Sequence, residues 1–250
     1  MPSVLVLSED SSKDAHDTLV AVIKKMFQLI EPSCQTHRIA FEPTPEAHIS
    51  VVRANAWKST SRASHQEQVA LRRTIATKLG ENDGFVLFHV DGDRTWADRH
   101  QSENRAKFQK LVIDPVRLLL MQLEPSGKLS ADDVDRRITR LCPLMPFYSI
   151  EAWLYQNIAR AMRICRDQYG GRDLARFEEW QADRGLLDEV PQPKDGVCLA
   201  AKHNRELATQ AFPHEVVHEV GKSFTHAVNT LRACHGLQAA LETTWHPAGS

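Results

Sequence analysis

Two uninterrupted apolar runs, VLVL at residues 4–7 and FVLFHV at residues 85–90, are typical of strands buried on both faces. Between them, apolar residues recur at helical spacing from Leu19 to Ile30, until Pro32 ends the pattern. Residues 63–79 predict another helix, and residues 48–53 predict a second strand. Strands that alternate with helices favour an α/β fold with a mostly parallel sheet flanked by helices.

The second half of the chain changes in character. We predict a fourth strand over residues 144–150 and a helix that begins at Glu151, and thereafter the pattern is mainly helical. A last short strand is predicted at residues 197–200. These patterns divide the chain into a core over residues 1–155 and a mainly helical C-terminal elaboration over residues 156–250.

Composition and charge restrict the class of protein. Of the 250 residues, 42% are hydrophobic and 25% are charged, as in ordinary globular proteins. The N-terminus has no signal-peptide pattern and no stretch reaches membrane-spanning length, so we expect a cytoplasmic protein without a membrane partner. The five cysteines are far apart and include no C-x-x-C pair, which indicates buried thiols and neither a disulfide framework nor a zinc site.

Acidic residues follow the two apolar strands directly. Glu9 comes after the first strand, and Asp91 and Asp93 flank Gly92 after the later one. The carboxyl ends of neighbouring parallel strands meet at one edge of a sheet, so these carboxylates converge if the two strands are neighbours. Carboxylate oxygens are the ligands that Mg²⁺ and Mn²⁺ prefer, whereas the alternative interpretation is a simple turn and a helix-capping acid.

With a formal net charge of −1, the chain has no general affinity for polyanions, and nucleic-acid contacts must come from local basic patches. Two basic runs follow acidic junctions, and each is either a phosphate clamp or a solvated helix face. The candidate phosphate-binding residues are Arg94, Arg99, Arg105, Lys107, Arg160 and Arg163.

The order of these motifs resembles the TOPRIM domain, a Rossmann-like fold in which one strand ends in Glu and a later strand ends in Asp-x-Asp. The segment PFYSIEAWL at residues 146–154 is similar to the aromatic-rich E-x-W-L element of RloB-like proteins and their relatives in the overcoming-lysogenisation-defect (OLD) nuclease group. In that group a C-terminal lysine region follows, and AKHN at residues 201–204 occupies its place.

The resemblance implies a catalytic site for one or two Mg²⁺ or Mn²⁺ ions. Glu9 and Asp91 would hold the principal ion, and Asp93 would bind it directly or through water. Glu151 would ligate a second ion or orient a water, and Lys202 would neutralise charge on the phosphate. Asp10 stands where the family has glycine, and Lys194 and Lys222 are alternative lysines, so both assignments stay open.

The resemblance thus predicts a metal-dependent nuclease that cleaves DNA or RNA, the effector of a bacterial anti-phage defence or toxin system with an ATPase partner encoded nearby. It also implies that the C-terminal elaboration returns a strand and a lysine to the site. One alternative is primase-like or topoisomerase-like phosphoryl transfer, and another is a catalytically inactive subunit that binds nucleic acid or a partner. The choice of DNA or RNA, the activating signal and assembly into a homo-oligomer are left open by the sequence.

Overall fold

The computed structural model describes residues 3–8, 12–52, 62–92, 103–123 and 129–243. Its strands are β1 (Ser3–Ser8), β2 (Ala40–Glu42), β3 (Gly84–His89) and β4 (Leu141–Leu144). The helices of the first half are α1 (Lys13–Ile30), α2 (Ile49–Val52), α3 (Arg62–Gly80), α4 (Glu103–Phe108), α5 (Asp114–Leu123) and α6 (Ala131–Ile138). Those that follow are α7 (Glu151–Leu154), α8 (Ile158–Tyr169), α9 (Leu174–Ala182), α10 (Asn204–Thr209), α11 (His214–Val220), α12 (Lys222–Arg232) and α13 (Leu237–Thr243).

The four strands form one all-parallel sheet in the order β2-β1-β3-β4. The predicted α/β fold with a parallel sheet between helices is therefore confirmed. β1 and β3 are neighbours over their whole length, with Ser3 opposite Gly84 and Ser8 opposite His89. The chain leaves β1 toward β2 on one side and returns to β3 on the other, so the order of the strands reverses between β1 and β3.

Alternate side chains of the central strands enter two separate hydrophobic clusters. Val4 and Val6 pack with α1 and with the helices of the second half, whereas Leu5 and Leu7 pack with α3, α5 and α6. This double burial explains why β1 and β3 are apolar without alternation. The helices after residue 156 cover one face of the same sheet, and the division at residue 155 stays a prediction.

The predicted strand at residues 48–53 is wrong, because residues 49–52 form the helix α2. Val51 and Val52 are consecutive, yet both are buried in the same cluster, which a strand with alternating side chains does not allow. The true second strand, β2, ends just before the Pro43–Pro45 region and its three residues are only partly buried. A run of β-branched residues was therefore a misleading signal here.

The fourth strand lies earlier than predicted. β4 ends at Leu144, before Pro146, and it contains Pro143 opposite Phe88. Among the described strands β4 pairs with β3 alone, and such an edge position tolerates a proline that has no N–H to donate.

The strand predicted at residues 197–200, and with it the returning strand of the C-terminal elaboration, is also wrong. Val197 and Ala200 have extended backbone angles, but no described strand pairs with this segment. Cys198 and Leu199 pack into the helical cluster instead, so their apolar character reflects contact with helices. All five cysteines are buried free thiols, as predicted.

Candidate metal and phosphate site

A cleft of about 910 Å³ opens at the carboxyl edge of the sheet, where β1 and β3 end side by side. In open parallel sheets, this point of reversed strand order is where ligands bind. The cleft is lined from β1 by Ser8, from the end of β3 by His89 and Asp91, and from the segment after β4 by Glu151. The fold therefore brings at least three strand-to-helix junctions to one cavity.

Asp91 enters the cleft two residues after β3. Its backbone carbonyl accepts a hydrogen bond from Asn104 Nδ2 at 2.8 Å, and the N–H of the adjacent Gly92 donates to Pro146 O at 3.0 Å. The Asp91 side chain is 42% exposed, and its Oδ1 lies 3.7 Å from Nε2 of the buried His89. The backbone is thus fixed on both sides while the carboxylate faces the cleft.

Glu151 is the first residue of α7 and its side chain is only 11% exposed. Its Oε1 accepts a hydrogen bond from Asn204 Nδ2 at 3.4 Å and lies 4.0 Å from Lys194 Nζ. A carboxylate this deeply buried needs polar partners, because burying a polar group without a hydrogen bond costs about 2 kcal/mol or more of folding free energy. Asn204 and Lys194 supply those partners from the C-terminal half of the chain.

A buried hydrogen-bond network around Ser223 holds α7 in place. The Ser223 hydroxyl oxygen accepts hydrogen bonds from the Phe147 N–H at 3.0 Å and from Trp153 Nε1 at 2.7 Å. The Ser223 N–H in turn donates to Asp188 Oδ1 at 3.3 Å. These contacts anchor the chain on both sides of Glu151, at Phe147 before it and at Trp153 within α7. The spacing of Ser223 and Asp188 along the sequence did not predict them.

Within the described ranges, two lysines line the cleft. Lys202 lies over the Tyr169 ring, with Nζ 5.7 Å from the ring centroid, and Lys194 approaches Glu151. Lys222, the other alternative to Lys202 in the sequence, begins α12 beside Asp188 and does not line the cleft. The structure thus brings Lys202 together with Asp91 and Glu151, and it adds Lys194 as a second cation.

The donors around the cleft suit a hard divalent cation. Asp91 and Glu151 provide carboxylate oxygens, and the buried Oδ1 of Asn204 accepts no hydrogen bond within the described part of the chain. Oxygen donors of this kind are the ligands that Mg²⁺ and Mn²⁺ take. Asn204 was missed as a site residue, although it belongs to the AKHN motif that drew attention to Lys202.

Glu9 and Asp93, the other two predicted ligands, lie outside the described residues, as does Asp10. Their described chain neighbours Ser8 and Gly92 both line the cleft. The shared site of Glu9, Asp91 and Asp93 therefore stays a prediction, which rests on the adjacent ends of β1 and β3.

The predicted phosphate clamps do not line this cleft where they are described. Lys107 pairs with Glu103 on α4, Arg163 pairs with Asp167 on α8, and Arg160 contacts Glu206 at 2.5 Å. Arg105 lies on α4, whereas Arg94 and Arg99 are outside the described residues. Among the residues that the structure describes, the lysines that line the cleft are Lys194 and Lys202.

Comparison with protein-family models, with curated protein sequences and with solved structures gave no significant match. Within the part of the chain that the structure describes, no helix has both the length and the apolar character needed to cross a membrane.

Proposed function

We propose that this chain is a Mg²⁺- or Mn²⁺-dependent phosphodiesterase that cleaves nucleic acid. The observation that carries the proposal is the convergence of Asp91, Glu151 and Lys202 on one cleft at the carboxyl edge of a parallel sheet. These residues come from three distant parts of the chain. Carboxylates beside lysines at such an edge match what phosphodiester cleavage requires, namely metal ligands beside cations for the phosphate.

The residues present fit the implied cation. Asp91 and Glu151 would hold it, together with Glu9 and Asp93, and the Asn204 amide oxygen is a further donor. A bound divalent cation supplies Lewis acidity that lowers the pKa of water and offsets charge on the phosphate.

The chain's own side chains have distinct tasks in this proposal. Lys202 and Lys194 attract the phosphate and offset the negative charge that develops on its oxygens. The N-terminus of α1, capped by Ser12 and lining the same cleft, adds a partial positive charge from an 18-residue helix. Glu151 offers an oxygen that orients the attacking water.

The biological setting is part of the proposal and comes from the resemblance to the OLD nuclease group. We infer that a cytoplasmic bacterial defence or toxin system uses the chain as its effector, under the control of an ATPase partner. The competing hypothesis, an inactive subunit that only binds, predicts retention of nucleic acid without cleavage.

The test is incubation of purified protein with labelled DNA and RNA pools and Mn²⁺, with and without EDTA. We expect cleavage that EDTA abolishes and that Asp91→Ala abolishes too, while the variant keeps its fold because this side chain is partly exposed. Asp167→Ala, on the exposed side of α8, is the matched control and should remain active. Cleavage that persists in Asp91→Ala or in EDTA contradicts the proposal, and binding without cleavage favours the inactive subunit.

A further inference from the structure

A second group of potential ligands lies outside the cleft, in the C-terminal half of the chain. The sulfur atoms of Cys165 and Cys198 and a carboxylate oxygen of Asp173 all lie within 4.8 Å of one another. Both cysteines are buried, and Asp173 is partly exposed. These three residues, which we call the Cys-Asp-Cys cluster, are spread over 34 positions of sequence and form no recognisable spacing motif.

The local fold explains how they meet. α8 ends at Tyr169, and the next two residues, Gly170 and Gly171, have φ angles of 64° and 74°. Both glycines donate their N–H groups to the carbonyl oxygen of Cys165. Their left-handed backbone conformation, which glycine adopts without a steric penalty, ends the helix. The chain then doubles back, so that Asp173, the residue that precedes α9, lies against the last turn of α8.

Cys198 reaches the cluster from a separate segment. The same segment is fastened to α8 by His203, whose Nε2 lies 3.1 Å from Gln168 Oε1 and 3.3 Å from the Tyr169 hydroxyl. The Ala200 N–H donates to His203 Nδ1 at 3.0 Å. The segment is therefore held at two points, by a hydrogen-bonded histidine and by the cysteine.

We propose that the Cys-Asp-Cys cluster binds Zn²⁺. Two sulfurs and one carboxylate oxygen are ligands that Zn²⁺ accepts in tetrahedral sites, whereas Mg²⁺ prefers oxygen alone. Zn–S bonds of about 2.3 Å place two sulfur ligands about 3.8 Å apart, so atoms already within the observed spacing need to move little. Binding converts two thiols to thiolates and releases their two protons to solvent, and a water completes the tetrahedron.

The ion would serve as a clamp for the cleft. Cys198 lies four residues before Lys202 and six before Asn204, and both of these line the cleft. An ion bound by Cys165, Asp173 and Cys198 would hold the segment around Cys198 against α8. It would thereby fix the position of Lys202 in the cleft. The inference concerns a structural ion and does not depend on the nuclease proposal.

The test begins with protein purified under reducing conditions and measures metal content by mass spectrometry. We expect about one equivalent of Zn²⁺ per chain, and after exchange for Co²⁺ an intense thiolate-to-cobalt absorption in the near ultraviolet. Cys165→Ser and Cys198→Ser should each weaken Co²⁺ binding more than about tenfold, since even outer-shell changes cost that much. Cys34→Ser, which removes a buried thiol outside the cluster, is the matched control and should bind normally.

Asp173→Asn provides a milder variant if a serine variant fails to fold, because Asp173 is partly exposed and its replacement keeps both thiols. It should weaken Co²⁺ binding and leave the thiolate absorption band present. The proposal is overturned if the wild-type chain binds neither Zn²⁺ nor Co²⁺, or if peptide mapping shows Cys165 and Cys198 joined in a disulfide. Equal binding by wild type and the cysteine variants also overturns it.

Discussion

Replacing Ser223 with alanine removes one hydroxyl oxygen that accepts hydrogen bonds from two buried groups, the Phe147 N–H and Trp153 Nε1. Ser223 and Trp153 are almost completely buried, so water does not easily replace the lost acceptor. A buried donor that loses its acceptor costs about 1–3 kcal/mol, and with two donors we expect Ser223→Ala to lower the free energy of unfolding by about 2–4 kcal/mol.

Urea denaturation followed by tryptophan fluorescence measures this loss. Ser33→Ala, which removes an exposed hydroxyl, is the control and should change stability by less than about 0.5 kcal/mol. In a Trp153→Phe background the indole donor is gone, so Ser223→Ala should cost about 1–2 kcal/mol less than in the wild type. A loss below about 0.5 kcal/mol, or equal losses in the two backgrounds, would refute the reasoning.

Three further predictions follow from the described contacts. Glu151→Gln should reduce cleavage by orders of magnitude while costing about 1 kcal/mol or less of stability, and full turnover in this variant would remove Glu151 from the mechanism. Burial raises the pKa of Asp188 from 3.8 to about 6. The folded state then holds the proton more tightly, so wild-type stability should fall by up to about 3 kcal/mol between about pH 4 and pH 7. Asp188→Asn should remove that part of the pH dependence of the unfolding free energy, measured by urea denaturation at several pH values. An unchanged pH dependence would contradict the raised pKa. Gly84→Ala should cost about 3 kcal/mol or more in the same assay, because the added Cβ collides with the Lys78 carbonyl. Gly80→Ala, where a Cβ meets only the end of Arg137, is its control, and equal effects of the two would refute the clash.

The elements predicted best are those whose sequence pattern has one physical explanation. Residues 4–7 of β1 and 85–88 of β3 are all apolar because both faces of each strand are buried. α1 ends at Ile30 because Pro32 cannot continue a helix. The errors lie where a pattern has two explanations. Val51 and Val52 are typical of a strand by propensity, yet their packing on α3 makes them helical.

The candidate site divides in the same way. Asp91 was predicted because an acidic residue close after an apolar strand is visible in the local sequence. Glu151 was predicted from the E-x-W-L resemblance, since β4 ends at Leu144 and does not lead directly into it. Asn204 and Lys194 were not predicted as partners of Glu151, since they approach it from 53 and 43 positions away in the sequence. The phosphate-binding role of the basic runs stays a prediction, and the structure adds that Arg160 and Arg163 pair with Glu206 and Asp167 outside the cleft.

By itself, the sequence determined the fold class, the two central strands and the positions of carboxylates after them, because burial periodicity and chain order are local properties. Only the tertiary structure decided which distant side chains meet. The strand order placed β1 beside β3. Helix packing brought Ser223 into contact with Trp153 of α7, and it brought Cys198 close to Cys165 and Asp173. Contacts of this kind depend on how helices and loops pack in three dimensions, and short-range patterns in a single chain carry no record of them.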